Sequence, residues 1–490
     1  MDRELVKECK KILSGDFDFE KETFVLESMK KLFKEDDFLI SGAAEILAHI
    51  GEMFQEDHIG FPKSNQLNDL VLRFDKWAKN NYVNIFDEDI DYSFKKFYHK
   101  HYKYRLRAEI LRGKGELTGN IIHIRNSFAK GILVEFGVAL GSDGKVLSEL
   151  EEDVIKSRYK AVIVTHGHVD HAGLVHLIDK SIPVFMGEKT LALYKLNNPS
   201  VNTSNFVTYR DGKPFFIGNA NPIKVTPFLC DHSAPDSFML LFESNGESIL
   251  YTGDFRSSGR KNFDKLLSKL PKKIGLLLCE NTNGSETNKK CYSENVISDK
   301  IKKILTDTEK PTFLFCATQN IDRIVSAYKA AAKSGRDLLI DIEEEKILRS
   351  LGGNVPCVES FDRMKVYFPS RKERGDFLDV RNKTVSINEL SKRSDYLMIV
   401  KASSLGYLKK LVLLGADLKD SVFIYSIWSG YRKTENTERF LIEIERLGMK
   451  IVTIHTSGHA TKKDIERLIK ETNPNEIIYV HERENAIGKV

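Results

Sequence analysis

The run Thr165-His166-Gly167-His168-Val169-Asp170-His171 puts three imidazoles and a carboxylate within six residues. Neutral imidazole nitrogens and carboxylate oxygens are ligands for divalent metal ions. His166 and His168 are two apart, so in an extended loop both side chains face the same way and can reach one ion. Gly167 between them lets the backbone turn tightly. Asp170 and His171 point elsewhere and can hold a second ion. The plain alternative is a solvated polar loop. The density of imidazoles favours the metal reading, and Ala172 to Asp179, read as a helix, would hold the loop in place.

Positioning such a loop requires strands. After Gly113, Gly115 and Gly119 the chain turns to short apolar runs: Ile121 to Ile124, Ile132 to Phe136, Ala161 to Val164, Ile223 to Leu229, Ile249 to Thr252 and Leu276 to Cys279. Helical stretches separate several of them, which indicates α/β architecture with buried sheets. Several runs end in polar residues: Thr165–His166, Asp231–His232, Gly253–Asp254, Glu280, His455 to His459 and His481. Strand C-termini are where α/β proteins build sites. A second α/β block has strands at Thr312 to Phe315, Leu338 to Asp341, Val366 to Phe368 and Leu397 to Lys401, and a helix at Ile321 to Lys333. Val422 to Ile427, Ile451 to His455 and Ile477 to His481 read as a return to the earlier style. Residues 1–112 read as helical, with Leu26, Met29, Leu32 and Phe33, then Ala44, Leu47, Ala48 and Met53, near helical spacing.

The 490 residues suggest about three domains, and 41% hydrophobic with 30% charged residues is ordinary globular composition. No apolar run approaches the ~18 residues of a membrane span, and Met1 to Leu13 has no secretory apolar core. Six scattered cysteines without a CxxC pair argue against a disulfide framework or a thiolate zinc site. A cytoplasmic location is expected. Charge is uneven: residues 1–94 hold 12 bases against 21 acids, whereas residues 95–112 hold 7 bases against Glu109 alone. A polyanion would avoid the first segment and tolerate the rest. Phe94 to Arg107 interleaves aromatics with bases. It reads first as an amphipathic helix docking the front segment, and second as a surface that stacks bases and binds phosphates. His99 and His101 lack a nearby carboxylate partner, and Gly113-Lys114-Gly115 lacks the spacing of a phosphate loop.

The HxHxDH run resembles the metallo-β-lactamase superfamily. Further motifs resemble its β-CASP nuclease group, most like the ribonuclease J family: Asp231-His232-Ser233-Ala234-Pro235-Asp236-Ser237, Tyr251 to Arg256 around Asp254, Cys279 to Gly284 around Glu280, His455-Thr456-Ser457-Gly458-His459-Ala460, and Tyr479-Val480-His481-Glu482. The match covers roughly residues 115–490. The resemblance implies an αββα metallo-β-lactamase sandwich with an inserted β-CASP α/β domain, here preceded by an N-terminal helical domain. The expected boundaries are 1–112 for the helical domain, 113–290 for the first part of the sandwich, 291–425 for the insertion and 426–490 for the return segment. This chain departs from the family pattern in four places. Glu135 replaces an aspartate at the end of an early strand. Leu174 replaces a second glycine. Glu482-Arg483 follows the third extra motif in place of Gly-Glu. The family's C-terminal domain has no counterpart before Val490.

The resemblance also implies a mechanism. His166, His168, His232 and Asp254 would hold one ion, and Asp170, His171, Asp254 and His481 the other. Two Zn²⁺ ions are expected, with Mn²⁺ as the alternative. Such a pair activates a hydroxide for in-line attack on phosphorus. Asp170, His459 and Glu280 are the expected catalytic residues, with His459 as general acid oriented by Glu280. Ser233, His455, Ser457, Gly458 and His459 are the expected substrate contacts. In the family a histidine at the third extra motif accompanies RNA-directed members, so RNA is the expected substrate and partner. The acidic front segment would contact a protein or fold over the RNA channel. The alternatives are a DNA nuclease of the same group, a small-molecule ester or lactam hydrolase, and a non-catalytic RNA-binding relative.

Overall fold

Short apolar strands buried along their whole length need cover on both faces, and the chain provides it in stacked layers. The structure is a computed structural model and describes residues 106–117, 119–126, 131–139, 146–219, 222–284, 291–353, 355–368 and 383–482. The helical expectations for the front segment, the His99–His101 pair and most of the stretch from Phe94 lie outside these residues.

The first sheet runs β1 (Arg107–Arg112), β2 (Ile121–Arg125), β3 (Ile132–Val134), β4 (Ala161–Ile163), β5 (Val184–Gly187) and β6 (Phe206–Tyr209), in sequence order. β1 and β2 are antiparallel, and β3 to β6 are parallel. The second sheet contains β7 (Phe215–Ile217), β8 (Ile223–Cys230), β9 (Ser237–Ser244), β10 (Glu247–Tyr251) and β11 (Ile274–Asn281). The third is an all-parallel sheet of β12 (Thr312–Phe315), β13 (Asp337–Asp341), β14 (Met364–Tyr367), β15 (Tyr396–Val400), β16 (Val422–Tyr425) and β17 (Lys450–Thr453), in the order β14-β13-β15-β12-β16-β17. The last strand, β18 (Pro474–Glu482), returns to the second sheet and pairs parallel with β11.

Alternation decides which residues meet. Ile132 and Val134 of β3 face Phe238, Leu240, Phe242 and Ile249 across the two-sheet interface, while Leu133 points outward to Val154 and Val175. The outer face of the second sheet is covered by the helices Phe263–Lys269 and Lys462–Thr472. The result is a helix–sheet–sheet–helix sandwich. Fully burying each such aliphatic side chain is worth roughly 1.5–3 kcal/mol. The third sheet is buried on both faces, which explains runs such as TFLF and YLMIV with no polar alternation. Leu314, Ile340 and Ile399 pack on one side, and Phe313, Met398 and Phe423 on the other.

Three expectations are corrected. Arg107–Arg112 is an edge strand and not part of a helical domain ending at 112; its charges sit on a half-buried edge. The helix after the metal loop is only Val169–Ala172, followed by a 3-10 turn at Val175–Leu177. The insertion does not end at 425, because β16 and β17 both pair within the third sheet and only β18 rejoins the sandwich. Among the described residues, no helix is long and apolar enough to cross a membrane.

Candidate metal centre

Strand ends of both sheets converge on one point. β4 delivers His166, His168, Asp170 and His171, β8 delivers His232, β10 delivers Asp254, and β11 and β18 end on Glu280 and His481. His166 Nε2 and His232 Nε2 each lie 3.1 Å from His168 Nδ1. His232 Nδ1 donates to the Gly458 carbonyl at 2.6 Å, which fixes its tautomer and leaves the Nε2 lone pair facing the other rings. Burial, together with the neighbouring imidazoles, holds His166 and His232 well below the usual histidine range. Three imidazole nitrogens thus face one another at hydrogen-bond distance, as ligands of one cation do.

The second group adjoins the first. Asp254 Oδ2 lies 3.3 Å from His171 Nε2, 3.7 Å from His232 Nε2 and 3.9 Å from His166 Nε2. His481 Nε2 lies 3.4 Å from Asp170 Oδ2, and its Nδ1 is 3.9 Å from Asp254 Oδ1. The sets His166–His168–His232, His166–His171–Asp254 and Asp170–His171–His481 each have ligand atoms within 4.8 Å of one another. Among the described residues, both ring nitrogens of His171 and Asp254 Oδ1 are buried without a hydrogen bond. Burial opposes the charge on Asp254 and Asp170, yet the surrounding imidazoles keep both carboxyls well below their ordinary range. Anionic oxygens and imidazole nitrogens buried together fit divalent cations. All seven expected ligands are brought together.

The layer beneath explains how the loop is held. Glu135 has a left-handed φ of 63° at the end of β3. Its carboxylate accepts the Thr165 amide at 3.3 Å and the Thr165 hydroxyl, and sits 3.3 Å from His171 Nδ1. The longer arm therefore reaches the metal loop. Phe136 and Val138 amides donate to the His171 and Val169 carbonyls at 2.9 Å. Gly137 is required between them, since a Cβ there would sit 1.7 Å from the Asp170 carbonyl oxygen. His481 is also left-handed, at φ 51°, and its amide donates 2.7 Å to Gly113. That gives the glycine-rich turn after β1 a structural role.

His459 Nδ1 lies 3.0 Å from Glu280 Oε2 and 3.6 Å from Asp254 Oδ2. Burial disfavours the imidazolium, but Glu280 and Asp254 outweigh it and push the His459 pKa up to about 9. Asp254, Glu280, His459 and His481 also satisfy the spacing of a metal group. Glu280, however, already accepts the Phe255 and Ala460 amides at 2.8 and 3.3 Å and the Thr282 hydroxyl at 2.7 Å. Its oxygens are committed to N–H and O–H donors.

These groups open into a cleft of about 540 Å³ between the sandwich and the C-terminal ends of the third sheet's strands, lined by His168, Asp170, Ser233, His455, Ser457 and His459 among others. That volume is in the range of small-molecule sites. Ser457 Oγ accepts the His459 amide at 3.1 Å and Asn283 Nδ2 at 3.0 Å, so it also shapes the loop. His455 Nδ1 donates to the Ser426 carbonyl at 3.2 Å.

Sequence reasoning missed two features. Thr282, inside the quoted Glu280 motif, has its hydroxyl 2.7 Å from His481 Nδ1 and 3.2 Å from His459 Nδ1. Arg256, inside the quoted Asp254 motif, is buried and grips Asp231 at 2.7 Å, Asp322 at 2.7 Å and the Ser457 carbonyl at 3.3 Å. It joins the residue beside His232 to the insertion. Its position two residues after Asp254 was the only available signal.

Comparison with known proteins agrees with this geometry. Residues 149–281 match a family described as a beta-lactamase superfamily domain, and residues 445–486 match one described as a Zn-dependent metallo-hydrolase RNA specificity domain. The chain is 24% identical to ribonuclease J of Mycoplasma genitalium over 382 residues, which cover 71% of this chain and 63% of that protein. It is 22% identical to ribonuclease J2 of Bacillus subtilis over 343 residues, covering 66% and 59%. It thus spans under two thirds of the length of these curated relatives. The crystal structure of a protein of unknown function from Enterococcus faecalis superposes with a TM-score of 0.63 at 17% identity, covering 78% of this chain and 96% of that one, a likeness of fold alone. A histidine–aspartate cluster capable of binding metal thus stands at the strand ends of a two-sheet sandwich that matches a beta-lactamase superfamily domain over residues 149–281, and the chain is similar to ribonuclease J.

Proposed function

We propose that this chain is a metal-dependent ribonuclease that hydrolyses RNA phosphodiester bonds. His166, His168, His232 and Asp254 would hold one Zn²⁺, and Asp170, His171, Asp254 and His481 a second, with Mn²⁺ as the alternative. The observation that carries this reading is the joint convergence of the seven ligands and the His459–Glu280 pair on one cleft. The similarity to ribonuclease J and to the RNA specificity domain supports RNA as the substrate.

Bound there, divalent ions supply Lewis acidity toward a phosphoryl oxygen and lower the pKa of water. The chain's own residues do the remainder. Glu280 holds Nδ1–H of His459, so Nε2 is the nitrogen left to give a proton to the departing oxygen. Asp170 stays ionised beside His171 and His481. Ser233, His455, Ser457 and Gly458, which line the cleft, would contact substrate phosphates. Residues 1–94 are proposed to contact a protein or cover the RNA entrance. Incubation with end-labelled RNA and DNA carrying either 5′ chemistry tests this. RNA should be cut, a chelator should stop it, and Asp254→Ala should abolish it while the circular dichroism stays unchanged. RNA cleavage persisting in Asp254→Ala after metal removal would refute the reading.

A further inference from the structure

Two large aromatic rings stand in the wall of the metal cleft and have no role in the chemistry above. Trp428 precedes the 3-10 turn Ser429–Lys433 that follows β16 and Tyr431 lies within it, and they remain 36% and 46% exposed. Their rings meet edge to face, 5.4 Å apart at 86°. Both line the cleft that holds His168, Asp170, Asp254 and His459.

The turn is anchored. The Tyr425 hydroxyl donates to the Trp428 carbonyl at 3.0 Å. Arg432 lies 4.4 Å over the Tyr425 ring and donates to Thr453 Oγ1 at 2.8 Å. The indole folds back on Gly430, where a Cβ would come within 2.3 Å of the ring, so the turn admits only a glycine there without moving the indole. Neither ring belongs to the two cores of the insertion, as described. Neither lies within residues 149–281 or 445–486, the segments that match known families. A supported aromatic pair kept partly in water in the wall of the cleft that holds the metal ligands offers ring surface to a flat partner. Nucleobases stack on such faces whatever their sequence.

We propose that Trp428 and Tyr431 form a stacking wall for the base of the nucleotide next to the scissile phosphate. The inference rests on the ribonuclease reading.

The test uses stopped-flow fluorescence anisotropy with a 5′-fluorescein RNA oligonucleotide, read before turnover, beside the same oligonucleotide with abasic sugars. Wild-type protein should bind the intact RNA more tightly. Trp428→Ala and Tyr431→Ala should each weaken that binding roughly 5- to 150-fold and leave abasic RNA unaffected. Trp428→Phe and Tyr431→Phe keep a ring and should keep most of the affinity. Alanine variants that bind intact RNA like wild type, or that lose intact and abasic RNA equally, overturn the proposal. Cleavage is scored separately. Cutting without base dependence sinks the stacking wall alone, and base-dependent binding without cutting sinks the ribonuclease reading alone.

Discussion

Replacing Arg323 by methionine removes one guanidinium from a buried network within the insertion, which Arg256 ties to the sandwich. Arg323 and Glu294 are both fully buried, with Nη2 to Oε1 at 3.0 Å and Nε to Oε2 at 3.3 Å. Arg323 also donates to the Ser426 carbonyl at 3.1 Å. Burial opposes the Glu294 charge, but Arg323 and then Arg256 hold its pKa down at about 2 against an ordinary 4.5. At roughly 1.4 kcal/mol per pH unit, that difference is worth about 3 kcal/mol at neutral pH. Breaking a buried pair on one side costs about 3–5 kcal/mol, and Arg256 at 3.4 Å keeps the value near the lower end. The expected drop in melting temperature is roughly 6–12 °C, at about 2–4 °C per kcal/mol. The folded-state pKa is depressed, so the wild-type advantage is complete above about pH 4.5 and fades as pH falls toward 2. Scanning calorimetry of wild type, Arg323→Met and Arg323→Met/Glu294→Gln at several pH values reads this directly. The double variant should lose less than the single losses combined. An Arg323→Met protein within about 1 kcal/mol of wild type at pH 7, against the cost expected for a broken buried pair, would refute the reasoning, as would a gap that does not narrow below pH 4.5.

Two further predictions concern the site. Glu280→Gln should lower RNA cleavage by about 10²-fold or more with metal content unchanged. Without the Glu280 charge the His459 imidazolium loses protection, so the alkaline limb of the rate profile should move to lower pH; a limb that stays in place contradicts the assignment. Glu135→Ala removes the acceptor beneath Thr165 and His171, and competition with a chromophoric chelator should show metal affinity reduced about 10- to 100-fold. Unchanged affinity would mean that the loop does not depend on that carboxylate.

The legibility of this molecule in its sequence follows from how local each signal is. His166 to His171 stood out because several ligands share one loop. His232, Asp254 and His481 are isolated residues after strands, and only the order of the motifs linked them. Their meeting at one point needs the two-sheet packing, which depends on residues hundreds of positions apart. The Arg256–Asp231–Asp322 contact was invisible, because each residue alone looks like one more solvated charge. The insertion's end was misplaced because VFIY of β16 and KIVT of β17 have the same texture as sandwich strands, and apolar content does not say which sheet a strand joins. β1 was overlooked because RAEILR, with its charges, lies on a half-buried edge. Glu135 was readable as a departure from the family pattern, but the reach of its longer arm was not.

The central claim is that these seven side chains bind a pair of divalent cations. Inductively coupled plasma mass spectrometry on protein purified without chelators measures it. The account predicts two ions of zinc or manganese per wild-type chain and fewer than one in Asp254→Ala, whose carboxylate lies between both groups. A correctly folded wild-type chain holding fewer than one ion after incubation with excess Zn²⁺ would contradict it.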